Sequence, residues 1–252
     1  MIWEAVLLID PHFDPADLSL DALTDLLVDA SVDGVALTPR HAPPSLELLT
    51  GLQEEGFYVF VGVKLETDRG GLLFFPESLD GFFDEDWAPK KGKVWPFDAA
   101  LERCAARPGA IVASHPYDRT SRGIGDRVYT CDALCAIETR IGRGLPIRDH
   151  MADRAANARG LGRLGASGGS ERLAGRAMTV FPELAVQKDL VEALQARLCW
   201  PVEFEERGSP RQRFQLVDEG PNEELKLRRE RQEWARPAPR RGRERDRGRG
   251  RR

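Results

Sequence analysis

Residues 4–40 read EAVLLIDPHFDPADLSLDALTDLLVDASVDGVALTPR, a stretch that switches from an apolar run to a helical period and back. Glu4–Ile9 is short and apolar, Leu18–Ala30 places leucines at helical spacing, and Gly34–Thr38 is apolar again, which predicts one βαβ unit. Working outward, Ser45–Glu55 repeats the helical pattern behind Pro43 and Pro44, with Ser45 placed to cap it, and Tyr58–Val63 reads as a third strand. Gly70–Phe75 reads as a further short strand, and residues 76–92 as an acidic, aromatic excursion.

The rhythm then resumes. Phe97–Ala106 reads as a helix, Ala110–Ser114 and Ala133–Thr139 as strands, Asp149–Arg159 as a helix, and Leu164–Ser167 and Ala177–Phe181 as strands before the helix Val186–Leu198. Strands separated by helices predict an α/β fold with a parallel sheet, barrel-like or doubly wound. Such folds gather the polar residues that follow their strands at one carboxyl edge, where ligands bind.

With 252 residues, 41% of them hydrophobic, the chain can bury a sizeable core. No apolar run approaches the roughly 18–20 residues of a membrane span, and Asp10 interrupts the N-terminal run too early for a signal peptide, so a cytoplasmic protein without membrane association is expected. Cys104, Cys131, Cys135 and Cys199 make no C-x-x-C pair and are expected to be reduced, buried thiols rather than a zinc site. Gly160, Gly162 and Gly165 fit G-x-G-x-x-G, but in helix-to-strand order, the reverse of a dinucleotide site.

Charge divides the chain in two. Residues 1–206 carry a net charge of −12 and residues 207–252 carry +8. From Arg236 onward the sequence is Arg, Gly and Pro with two acids and no aliphatic residue beyond alanine, which predicts a disordered basic tail. Arginines 240, 241, 243, 245, 247, 249, 251 and 252 could contact the phosphates of a nucleic acid through counterion release, so one reading makes the folded domain a scaffold for that tail.

Five expected strand ends finish in polar tips: IDPHFDP (9–15), VALTPR (35–40), GVKLET (62–67), ASHPY (113–117) and ASGGSE (166–171). In this order and spacing they resemble the PHP (polymerase and histidinol phosphatase) family, and the resemblance covers most of residues 1–200. It implies an irregular (β/α)7-type PHP-like barrel, a multinuclear metal site and phosphoester hydrolysis. CDALCAIETRIGR (131–143) and AMTVFPELAVQKDLVEALQARLCWPV (177–202) resemble the family's later strand and closing segments.

Matched residue by residue, the ligand set is reduced. The family's Asp-x-His-x-His becomes Asp10, His12 and Asp14, and its Thr-Asp-His becomes Thr38, Pro39 and Arg40, with His41 one place late. Its Gly-x-Glu becomes Gly62, Val63 and Lys64, with Glu66 on the same strand face; its Ala-His-Pro survives as Ser114, His115 and Pro116; and its last motif reads Gly169, Ser170, Glu171. The resemblance thus leaves His12, Asp14, His115 and Glu171 as candidate metal ligands for one divalent ion (Zn, Mn or Fe) or none.

Lys64 and Arg40 put fixed positive charge where metal charge would sit, which makes them candidate anion-binding residues for a phosphorylated small molecule. His150, next to Asp149, reads as a local helix cap. The expectation is a divergent PHP-like protein with a degraded metal centre and reduced or absent hydrolase activity. An active mono- or dinuclear phosphoesterase is the alternative.

Overall fold

The computed structural model describes residues 6–14, 18–40, 44–87, 89, 94–118, 122–142, 146–168, 171–182 and 184–204, with the backbone alone at Val6 and Glu171. The basic tail, His41, Gly169 and Ser170 lie outside the described residues. Within them the order is β1 (Val6–Phe13), α1 (Leu20–Ala30), β2 (Gly34–Leu37), α2 (Leu46–Glu54), β3 (Tyr58–Val61), β4 (Val63–Thr67) and β5 (Gly70–Pro76). Then come α3 (Phe97–Ala105), β6 (Gly109–Ser114), β7 (Leu134–Arg140), α4 (Pro146–Arg159), β8 (Gly162–Gly165), β9 (Ala177–Pro182), α5 (Gln187–Ala196) and β10 (Trp200–Glu203).

Local chemistry sets the helix starts. The Ser19 and Ser45 hydroxyls accept from the backbone N–H of Ala22 (3.3 Å) and Leu48 (3.1 Å), satisfying N–H groups that have no partner within the helix. Helix α4 starts earlier than its periodicity suggests, because the fixed φ of Pro146 suits a first helical turn. His150 therefore lies inside the helix and exposed, not at a cap.

The strands form two five-stranded sheets, ordered β10-β9-β1-β2-β3 and β4-β5-β6-β7-β8, in place of a seven-stranded parallel barrel. The sets β1-β2-β3 and β6-β7-β8 are parallel, as the alternating pattern predicts. Strand β5 instead runs antiparallel to both β4 and β6, because a turn through Asp68 and Arg69 returns the chain at once with Thr67 opposite Gly70. Strands β9 and β10 are also antiparallel, β9 against β1.

Two seams bring the sheets together. Strands β3 and β4 are one run bent at Gly62, whose N–H donates to Leu37 O (2.9 Å) while the Lys64 N–H donates to Pro39 O (3.1 Å). Opposite, the Thr179 hydroxyl of β9 donates to Gly165 O (2.8 Å) and accepts from Gly165 N–H (3.0 Å) at the end of β8. Ile9, Ala36, Phe60, Leu73, Val112, Ala136, Leu164 and Phe181 pool into one core that Leu190 and Leu194 of α5 complete. A second core, including Leu23, Leu27, Leu52 and Ala155, packs α1, α2 and α4 against the strands.

Gly62 has no room for a side chain: a Cβ there would lie 2.6 Å from Phe75 Cδ1 and 2.7 Å from the carbonyl oxygen of Phe74. The backbone oxygen cannot yield as a side chain would. Gly62→Ala is expected to cost about 2 kcal/mol, read as a lower urea midpoint with an unchanged slope; an unchanged midpoint would show that the seam is not tightly packed.

Candidate metal centre

Strand β1 carries Pro11 inside the sheet, where proline supplies no N–H to a ladder. The chain accommodates it with a register shift between Asp10 and Phe13, and such a bulge re-aims the side chains beside it. His12 sits in that bulge, wholly buried.

His115 follows the last residue of β6 with φ +44, a left-handed conformation that costs energy for any residue with a Cβ, more so before proline. Three hydrogen bonds hold the turn: Asp118 N–H to His115 O (2.9 Å), Gly125 N–H to Pro116 O (2.7 Å) and Gly123 N–H to Asp118 O (2.9 Å). Such strain persists where the surroundings over-determine it, often at functional sites.

Both imidazoles meet the carboxylate of Glu138, in the middle of β7. His12 Nδ1 lies 2.7 Å from Oε1, and Oε2 accepts the His115 backbone N–H (2.8 Å) with His115 Nδ1 at 2.6 Å. That last contact lies off hydrogen-bond geometry, so it is electrostatic in character. The rings stack with centroids 5.1 Å apart. One donor atom from each of His12, His115 and Glu138 falls within 4.8 Å of the others.

Protonation follows from these contacts. Burial would raise Glu138, but the facing donors of His115 and His12 hold it well below the usual carboxylate range. Burial pulls His12 down to about 3 against the attraction of Glu138, so the ring is neutral near pH 7. A carboxylate only accepts hydrogen bonds, so the proton of His12 belongs on Nδ1 and the lone pair on Nε2. The Nε2 atoms of both histidines are buried without a hydrogen-bond partner. A carboxylate orienting one ring nitrogen while the other stays free is how metal-binding histidines are held.

The other candidates separate. Asp14 pairs with Arg40 (3.4 Å), and Arg40 also pairs with Glu66 (3.1 Å), so Arg40 is largely neutralised and Asp14 does not join the histidines. The side chain of Glu171 lies outside the described residues. Lys64 is only 6% exposed and does not pair with Glu66; no carboxylate among the described residues comes within ion-pair distance of its ammonium. Burial lowers its pKa, opposed by Glu138. It lines a cavity of about 420 Å³ with Arg40, Arg122, Gly71 and Ser114, whose buried hydroxyl also lacks a partner.

Glu138 was missed as a site residue. Its signal is present in LCAIETR (134–140), a carboxylate in a strand otherwise read as buried, which requires a partner. The four cysteines are free, and burial pushes the Cys104, Cys135 and Cys199 thiols up to about 12, which suits structural packing.

Asp10 supports the centre from behind, accepting from the N–H groups of His12 and Ser167 (3.2 Å each). Burial still pushes its carboxyl up to about 7. A raised carboxyl favours folding only while protonated, so its cost is absent below about pH 4 and complete above about pH 7. Asn keeps the acceptor oxygen, so in chelator Asp10→Asn should gain stability over the wild type as pH rises from about 4 through 7, by an order of 4 kcal/mol at the plateau. A pH-independent difference in melting curves would contradict this.

No family model matches the chain, and no curated protein matches it in sequence. Solved structures do match in fold. PsfC from Pseudomonas syringae PB-5123 aligns with TM-score 0.60 and 17% identity over 91% of this chain and 99% of its own. A two-domain protein of Bacteroides vulgatus ATCC 8482 containing a predicted PHP-like metal-dependent phosphoesterase aligns with TM-score 0.56 and 14% identity, covering 78% of this chain and 64% of that one. A Bifidobacterium adolescentis ATCC 15703 protein, likewise assigned by prediction as a metal-dependent phosphoesterase, gives TM-score 0.51 and 14% identity over 75% and 95%. The chain shares the fold of these proteins, and its described residues include a His/His/Glu cluster.

Proposed function

We propose that the protein is a phosphoesterase with a single-metal centre at the Nε2 atoms of His12 and His115, whose rings Glu138 orients, acting slowly on a phosphorylated small molecule. The observation that carries this reading is the pair of buried, unpartnered Nε2 atoms on rings clasped by one carboxylate. Two imidazole nitrogens suit zinc, manganese or iron and leave coordination positions open for substrate. When bound, the ion supplies Lewis-acid polarisation of a phosphoryl oxygen.

The rest falls to the protein's own groups. Lys64 lines the cavity with no carboxylate among the described residues within ion-pair distance, and a phosphoryl dianion would replace the water it has lost on burial. Arg122 adds a second cation and the Ser114 hydroxyl a hydrogen bond. Arg40, held by Asp14 and Glu66, positions the rim more than it binds. Fixed cations of this kind stabilise charge without reorganising during the reaction. They do not generate a nucleophile, which explains why slow turnover is expected of the centre.

The test is hydrolysis of p-nitrophenyl phosphate by protein loaded with manganese, zinc or iron. Chelator should abolish the rate, and Lys64→Met should lower kcat/KM by about a hundredfold. A rate indifferent to chelator, or undetectable with every metal, would overturn the enzymatic reading. Phosphate-induced thermal stabilisation lost in Lys64→Met would then leave anion binding alone.

A further inference from the structure

Arg122 lines the cationic cavity on one side and a second cavity of about 600 Å³ on the other. Two residues beyond His115, Tyr117 forms a wall of this second space, opposite Ile147 and Met151 of α4. A further hollow of about 410 Å³, lined by Tyr117, Asp126, Tyr129, Met151 and Arg154, shares Tyr117, Asp126 and Met151 with it. The groove thus begins at the histidine that bears the strained backbone.

Its surface differs from the rest of the site. Ile147 is 65% exposed, Met151 41% and Tyr129 39%, a cluster of large apolar side chains with nothing on them among the described residues. The Tyr117 hydroxyl donates to Asp126 Oδ1 (3.2 Å), which fixes its ring. Charged residues share the lining: Arg148 is matched by Asp118 at 2.7 Å, Asp126 is engaged by the Tyr117 hydroxyl, and Arg154 borders the further hollow. Between them the groove presents two aromatic rings, a thioether and a branched aliphatic chain, with Arg122 at the junction.

We infer that this groove receives the organic half of the substrate and that this half is aromatic, so the protein is selective for aryl phosphates. The inference rests on the proposed phosphate site, because Arg122 ties the two cavities together. Tyrosine rings gain more from a flat ring than from an alkyl chain of similar area, and methionine sulfur adds a favourable contact at a ring edge. An anion alone would fill the cationic cavity and leave the apolar groove wet.

The probes are phenylphosphonate and methylphosphonate, neither of which can be hydrolysed, titrated calorimetrically into the metal-loaded full chain. Phenylphosphonate is expected to bind at least about tenfold tighter. Met151→Asp, or Ile147→Asp as a second exposed position on α4, should erase that preference while leaving methylphosphonate unchanged. Equal affinities in the wild type, or a preference that survives both substitutions, would overturn the inference while the phosphate site stands. If neither phosphonate binds and Lys64→Met changes nothing, the phosphate site fails, and the aryl groove with it.

Discussion

A carboxylate removed from water and clamped between two imidazoles is the constraint around which the rest is arranged. Glu138 is wholly buried, and an isolated ion there would cost many kcal/mol, so its contacts with His12, His115 and the His115 backbone N–H are obligatory. Meeting that requirement fixes three strands relative to one another. The β1 bulge must aim His12, the β6 end must turn His115 through a left-handed conformation, and β7 must present Glu138 between them.

The same clasp decides the electrostatics nearby. Ionised Glu138 favours the ammonium of Lys64, opposing the burial that lowers its pKa. Lys64 in turn lines a cavity, and no carboxylate among the described residues lies within ion-pair distance of its ammonium.

Much of this was legible in the sequence, for local reasons. Ser45 marks the start of its helix in the sequence, and the polar tips of the apolar runs point to a carboxyl-edge site, with His12 and His115 at two of them. The antiparallel course of β5 was less visible, because its cause is a tight turn at Asp68 and Arg69 rather than the strand's own pattern. The placement of β9 against β1 joins residues from opposite ends of the described chain and has no local signal. The pairing of Glu138 with two histidines also depends on three-dimensional neighbours, so the reading passes over Glu138.

Metal stoichiometry of the purified protein, by elemental analysis after exchange through buffer containing zinc, manganese or iron, tests the central claim most directly. The account predicts one tightly held equivalent, weakened about 10- to 100-fold in affinity when Glu138→Gln removes the carboxylate that orients both rings. No retained metal, or metal held equally well by Glu138→Gln, would contradict it.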